Sequence, residues 1–224
     1  MATIALVGGD EFRAGCEPMD RELLTFCSHT PPRVLIVPTA AARQRPDLAA
    51  KNGTNYFRSL GAEAEPLMLV DRTAAESAML GDAMQSVDLV YFTGGDPNYL
   101  LDVLSESAAW DTIRAAADHG VVIAGSSAGA MVLGEWMGMR NWRAALGLVP
   151  HVCVLPHFTP GRLVTQEQRA GLPDDAIVLG IPAATAVVLL PDDRWRVLGT
   201  QPVTVSREND SATVRPHMSF SLGE

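Results

Sequence analysis

The residues Gly125-Ser126-Ser127-Ala128-Gly129 fit the pattern G-x-S-x-G, directly after the apolar run VVIA and directly before the helix-like run AMVLG. A serine at such a place can act as a nucleophile. A strand that turns into a helix within one residue strains the serine's backbone and lifts its hydroxyl clear of the sheet. Small residues on both sides let strand and helix approach each other. The N–H of Ala128 then stands free at the start of the helix, where it can face the oxygen of a tetrahedral intermediate. A plain strand-to-helix turn packed with small residues would read the same way, so the surroundings must decide.

A second strand end, FTGGDPNYL at Phe92–Leu100, brings a glycine-rich turn close to the elbow. It could supply a second oxyanion N–H from Gly95 or Asp96. Asp96, just ahead of Pro97, also reads as the N-cap of a helix. A serine nucleophile further needs a base. Of the 5 histidines, His119 ends a helix-like run, His29 sits in a turn and His217 lies near the C-terminus. His157, in VLPHFTP, follows an apolar strand and faces the elbow if that strand is parallel. It is the first candidate, with His151 second. A third strand end, GGDEF at Gly8–Phe12, has the letters of a nucleotide cyclase motif. There they lie on a hairpin in another strand order. Here they follow the first strand of a parallel pattern, and cyclase activity is not expected.

The elements that must position these residues alternate along the first two-thirds of the chain. TIALVGG, RVLIVPTA, AEPLMLV, DLVYFTGG and GVVIAGSS read as strands. Runs bounded by glycine without polar alternation suggest strands covered on both faces. Helix-like segments cover 19–28, 46–60 and 74–85, and 98–119 holds two more. Strand–helix alternation implies an α/β fold with a mainly parallel sheet, helices on both faces and right-handed crossovers. In such a sheet, sites form beyond the carboxyl ends of the strands. The last third changes character. LGLVPHVCVLPHF gives one or two strands, 160–170 a helix, and AIVLGI, TAVVLL, WRVLG and ATVRP short strands. This predicts a C-terminal antiparallel extension within a single domain spanning 1–224.

A net charge of −9 argues against nucleic acid and anionic membrane as partners. No apolar run is long enough to span a bilayer, and the N-terminus lacks a basic leader. The 3 cysteines, Cys16, Cys27 and Cys153, show no CxxC spacing. Neither a disulfide framework nor a metal site is expected, no cofactor is implied, and a reducing cytoplasm fits best.

FTGGDPNYLL, then AGSSAGAMVLG, then LGLVPHVCVLPHF together resemble the S51 serine peptidases, the family of peptidase E and cyanophycinase. The likeness runs from about Leu6 to Val197. It implies a three-layer fold similar to class I glutamine amidotransferases and flavodoxin, with serine in place of cysteine at the elbow. It implies Ser127 as nucleophile, His157 as base, and the N–H groups of Ala128 and the Gly94–Asp96 loop as oxyanion hole. The substrate would be a short peptide and the protein a monomer or homodimer. The family's triad also needs a carboxylate between serine and histidine, and no Asp lies there. Glu135 is the only acid in that interval; on a straight helix from Ser127 it would stand about 12 Å up the axis. Asn141 lies nearer the family position and could orient a histidine as an amide does in papain-like enzymes. Peptidase E reads a substrate Asp with an arginine whose position here is Gln166, which relaxes strict Asp-X specificity. Arg162 and Arg169 are the nearby substitutes. Two alternatives stand beside a dipeptidase: a β-aspartyl-arginine hydrolase of the cyanophycinase kind, and a binding protein on the same scaffold without turnover.

Overall fold

The structure is a computed structural model that describes residues 2–77, 80–138, 141–208 and 210–222. Its main sheet is built on five parallel strands, β1 (Ile4–Val7), β2 (Arg33–Val37), β3 (Glu63–Pro66), β4 (Leu89–Phe92) and β5 (Val122–Ser126), in the spatial order β3-β2-β4-β5-β1. Beyond β1 the sheet continues antiparallel through β10 (Thr185–Leu189), β11 (Arg194–Gly199) and β14 (Ser219–Ser221).

Side chains alternate across this sheet as strand pleating requires. From β1, Ala5 and Val7 join Val34, Ile36, Leu89, Tyr91 and Ala124 on one face. There they pack on Met19 and Leu23 of α1 (Glu17–Leu24) and Phe57 of α2 (Pro46–Ser59). Ile4 and Leu6 join Val90, Phe92 and Ile123 on the other face. That face is covered by α5 (Pro97–Leu104), α6 (Ala108–Asp118) and α7 (Ala128–Leu133). The expected mainly parallel sheet with helices on both faces is the observed one. The single helix read over 74–85 is instead α3 (Arg72–Ser77) and α4 (Gly81–Gln85), and residues 78–79 lie outside the described ones.

The C-terminal third departs further from expectation. Six strands form a second sheet in the order β13-β12-β9-β8-β6-β7. They are β6 (Gly134–Met137), β7 (Arg143–Ala144), β8 (Val149–Leu155), β9 (Ile177–Gly180), β12 (Val203–Arg207) and β13 (Asp210–Val214). β6, β8 and β9 run parallel, and the outer strands antiparallel. The helix read over 160–170 shrinks to α8 (Gln166–Arg169), closed by a Thr165–Gln168 capping box. Among the described residues no helix is long and apolar enough to cross a membrane.

One buried carboxylate ties the loop before β2 to the start of β4. Asp88 is 3% exposed and accepts hydrogen bonds from the backbone of Ser28, His29 and Arg33, the Ser28 hydroxyl and the His29 ring. Burial alone would raise its pKa, but these donors outweigh burial and hold it well below the ordinary value. The native state therefore prefers the ionised form. The stability this adds is complete above the unfolded Asp value of about 3.9 and is lost as the pH falls towards the depressed native value. Asp88→Asn should lower unfolding stability by roughly 2–4 kcal/mol at pH 7. In urea titrations the gap from wild type should narrow at about pH 3. A gap equal at both pH values would mean that the charge contributes nothing.

Candidate active site

Val7 lies level with Ser126, and Phe92 with Gly125. The segments leaving β1, β5 and β4 therefore emerge side by side, and Gly8–Phe12, Ser127 and Gly94–Asp96 meet in one place.

Ser127 takes φ 49° and ψ −106°, in the left-handed half of backbone space that a side chain seldom adopts. Its N–H donates to Val7 O at 2.9 Å, and its carbonyl accepts from Met131 N as α7 begins. The flanking glycines allow this turn. A Cβ on Gly125 would stand 2.4 Å from the Gly129 backbone, and one on Gly129 would stand 2.6 Å from the Phe92 carbonyl oxygen. The hydroxyl is thus pushed out of the sheet towards His157, whose Nε2 lies 3.1 Å from Ser127 Oγ.

His157 arrives from the second sheet, just beyond β8. Its N–H donates to Gly8 O at 2.7 Å, which docks the histidine onto the exit of β1. The ring lies over Gly9, at φ 127°, where a Cβ would come within 2.2 Å of Cε1. His151 sits on β8 and pairs through Nδ1 with Asp175 at 2.8 Å, apart from Ser127.

Two N–H groups flank the serine without a protein acceptor among the described residues, those of Gly95 and Ala128. Asp96 is corrected. Its N–H is taken by Ala40 O at 2.8 Å, and its carboxylate caps α5 by accepting from Asn98 and Tyr99. Its neighbour Gly94 is also occupied, donating to Glu11 Oε1 at 2.7 Å.

Neither expected third member reaches His157. Instead of continuing as a helix, the chain after α7 enters β6 at once. Glu135 therefore lies on a strand, and its Oε2 accepts from His151 N at 2.6 Å. Asn141 is exposed in the turn between β6 and β7. Among the described residues, His157 Nδ1 has no hydrogen-bond partner. The expected substrate readers are also elsewhere. Arg169 donates to the carbonyls of Ser206 and Ala176, which pins α8 to the second sheet. Gln166 opens α8 beside Arg169 and Asp174. Arg162 is exposed, with its carbonyl held by the Thr204 hydroxyl.

The cleft beside Ser127 and His157 has a volume of about 600 Å³. Its walls are Asp10, Glu11 and Arg13 from the β1 exit and Gln44, Arg45, Leu48 and Asn52 from around α2, with Gly94 and Gly95 at its floor. Both signs of charge and one apolar shelf face it. This wall lies outside the expected site residues; its signal in the sequence is the GGDEF segment at a strand end.

A sequence model of Peptidase family S51 matches residues 4–195. The cyanophycinase of Trichormus variabilis is 27% identical over 234 residues, covering 96% of this chain and 77% of that protein. The cyanophycinase of Geminocystis herdmanii is 23% identical over 219 residues, covering 91% and 80%. Among solved structures, a peptidase from an acI-B1 Actinobacterium superposes with a TM-score of 0.85 at 27% identity, over 99% of this chain and 97% of that one. A putative peptidase E from Listeria monocytogenes EGD-e has a TM-score of 0.58 at 19% identity over 96% and 98%, which is a likeness of fold. The strained serine on its elbow thus sits in a chain that belongs to peptidase family S51, and the protein is a hydrolase of the serine peptidase type.

Proposed function

We propose that the protein hydrolyses short peptides through an acyl-enzyme on Ser127, without strict preference for an N-terminal Asp. The observation that carries this reading is the 3.1 Å approach of Ser127 Oγ to His157 Nε2 on a strained elbow. Ser127 Oγ attacks the scissile carbonyl while its proton passes to His157 Nε2, forming a C–O bond. The carbonyl oxygen takes the negative charge between the N–H groups of Gly95 and Ala128. Collapse breaks the C–N bond, and His157 returns the proton to the leaving amine. Water then gives a proton to His157 as it adds to the ester carbonyl, and collapse breaks the C–Oγ bond while His157 returns the proton to Ser127 Oγ, which releases the acid. With no acid on Nδ1 among the described residues, the imidazolium of the exposed His157 is steadied by solvent, which favours modest turnover for a serine peptidase.

The cleft supports a substrate that is short and of mixed charge. Asp10 and Arg13 line one wall and Arg45 the wall around α2, so the cleft offers both signs of charge and suits a zwitterionic dipeptide better than a uniformly acidic one. A second reading, hydrolysis of β-aspartyl-arginine, is favoured by relatives named cyanophycinase over 96% of the chain. The same mixed lining suits that dipeptide. A cytoplasmic site of action is part of either reading.

Ser127→Ala should abolish turnover with little change in melting temperature, and His157→Ala should lower kcat by at least about 10³-fold. Assays of kcat on purified variants check this, and full activity of Ser127→Ala would remove the nucleophile. Gly9→Ala should act like a milder His157 variant, because the new methyl occupies the imidazole's place. A loss of about 10²-fold in kcat is expected. Unchanged kcat would show that His157 does not work from this position. On substrates, mass spectrometry of a dipeptide library should show cleavage of several X–Y pairs at comparable kcat/KM. Products from β-Asp-Arg alone would replace the dipeptidase reading with the second one, and sole cleavage of Asp-X pairs would sink the relaxed specificity.

A further inference from the structure

Resting on the serine-hydrolase reading above, we propose that Glu11 is the positioning residue of this site: one carboxylate locks the oxyanion loop to the nucleophile elbow. Its Oε1 accepts the Gly94 N–H at 2.7 Å and its Oε2 accepts the Ser126 hydroxyl at 2.7 Å. Gly94 immediately precedes Gly95, and Ser126 immediately precedes Ser127. The side chain therefore grips the two residues next to the proposed oxyanion donor and the proposed nucleophile. Both contacts are charge-assisted, the stronger class of hydrogen bond.

The loop that carries Glu11 is held in a costly shape. Asp10 and Phe12 both take positive φ, at 60° and 64°, on either side of it. Such residues persist where the surroundings over-determine them. Here the Phe12 ring packs against Tyr56, Phe57 and Tyr91, and Gly9 O accepts from Ala184 N. A pure surface turn would have no reason to be fixed at both ends and to turn one carboxylate inward. The close fit is visible at Gly94, where a Cβ would come within 2.8 Å of Glu11 Oε1 and 3.3 Å of Ser127 Cβ.

The chemistry ranks the possible replacements. Glutamine keeps an acceptor for the Gly94 N–H and can donate its amide to Ser126 Oγ. The serine proton then turns to the nearby Tyr91 hydroxyl, which is buried and lacks a hydrogen-bond partner of good geometry. Aspartate is one methylene shorter and can satisfy Gly94 or Ser126 but not both. Alanine satisfies neither. Glu11 touches no reacting atom in this scheme and acts through the groups it holds.

The test compares E11Q, E11D and E11A in the full chain on the best dipeptide of the library. It measures kcat, KM and inhibition by the matching dipeptide aldehyde, whose hemiacetal oxygen would occupy the oxyanion site. E11A should lower kcat by about 10²–10³-fold, the loss seen when one oxyanion donor is removed. KM should stay within about threefold, and aldehyde affinity should fall in parallel with kcat. E11D should be intermediate and E11Q within about tenfold of wild type. Wild-type kcat in E11A, a loss confined to KM, or E11Q as poor as E11A would each overturn the assignment. If E11A does not fold, the order of E11Q above E11D decides, and the reverse order overturns it. Wild-type protein that neither cleaves any dipeptide nor takes a serine-directed fluorophosphonate would overturn the hydrolase reading itself, and this assignment with it.

Discussion

Everything at this site depends on one backbone conformation, Ser127 at φ 49° and ψ −106°. An ordinary side chain there costs on the order of 1–3 kcal/mol. The cost is met by contacts that leave the chain no alternative. The Ser127 N–H is taken by β1, its carbonyl starts α7, and strand and helix are pressed so closely that only glycine fits at 125 and 129. If the turn relaxed, the hydroxyl would fall back towards the sheet. The Ala128 N–H would turn with it, since the two share the same peptide corner. The nucleophile and its oxyanion donor are thus set by one strain, which is why neighbours of little apparent chemistry matter.

Charge is distributed unusually around that corner. In a three-membered triad an acid behind the histidine fixes its tautomer and steadies the imidazolium. Here His157 Nδ1 has no partner among the described residues, and its orientation comes from the main chain. Its own N–H is fixed to Gly8, and its ring rests on the bare face of Gly9. A backbone cradle orients a ring well but supplies no negative charge. Glu11, an acid of the same cleft, is already committed to the Gly94 N–H and the Ser126 hydroxyl. Geometry and charge, which one aspartate usually supplies together, are separated in this chain.

The sequence made the elbow and the histidine legible because each stands where an apolar run stops, and that signal is local. Four of the five parallel strands were legible for the same reason; the run AEPLMLV predicts the other, but β3 covers Glu63–Pro66 and ends before the apolar LMLV. The β6 strand was not legible. AMVLGEWMGM is apolar enough to continue a helix, and only pairing with β8 and β7, which lie outside the run itself, makes it extended. Glu135 is a triad candidate as the only acid between serine and histidine, and on the strand its carboxylate is taken by His151 N instead. Pairing also hid the second sheet, since strands such as VTVSR carry little hydrophobic signal until their neighbours are known. Glu11 was hidden differently. Its letters were legible, but a carboxylate's role depends on which donors face it, and Gly94 and Ser126 are far from it along the chain. Arg169 shows the converse: a cation near the expected position that the fold uses to hold the carbonyls of Ser206 and Ala176.

The second sheet gains its meaning from where its strands end. β8 and β9 run parallel, and both finish against the exit of β1. His157 N donates to Gly8, Phe158 N donates to Ile181 just past β9, and Gly8 N donates to Thr185 at the start of β10. The base is thus carried on one sheet and the nucleophile on the other. The 3.1 Å contact between them is set by how the two sheets dock at Gly8 and Gly9. A substitution that shifts β8 along β9 would move the histidine without touching the elbow, so turnover in this fold should be sensitive to packing in a sheet that carries no other part of the chemistry. The glycines at 8 and 9 are the hinge of that docking. A Cβ on Gly8 would overlap the Pro182 carbonyl at 2.0 Å, and one on Gly9 would overlap the imidazole itself. The small residues that open the chain are therefore part of the machinery by virtue of what they leave empty.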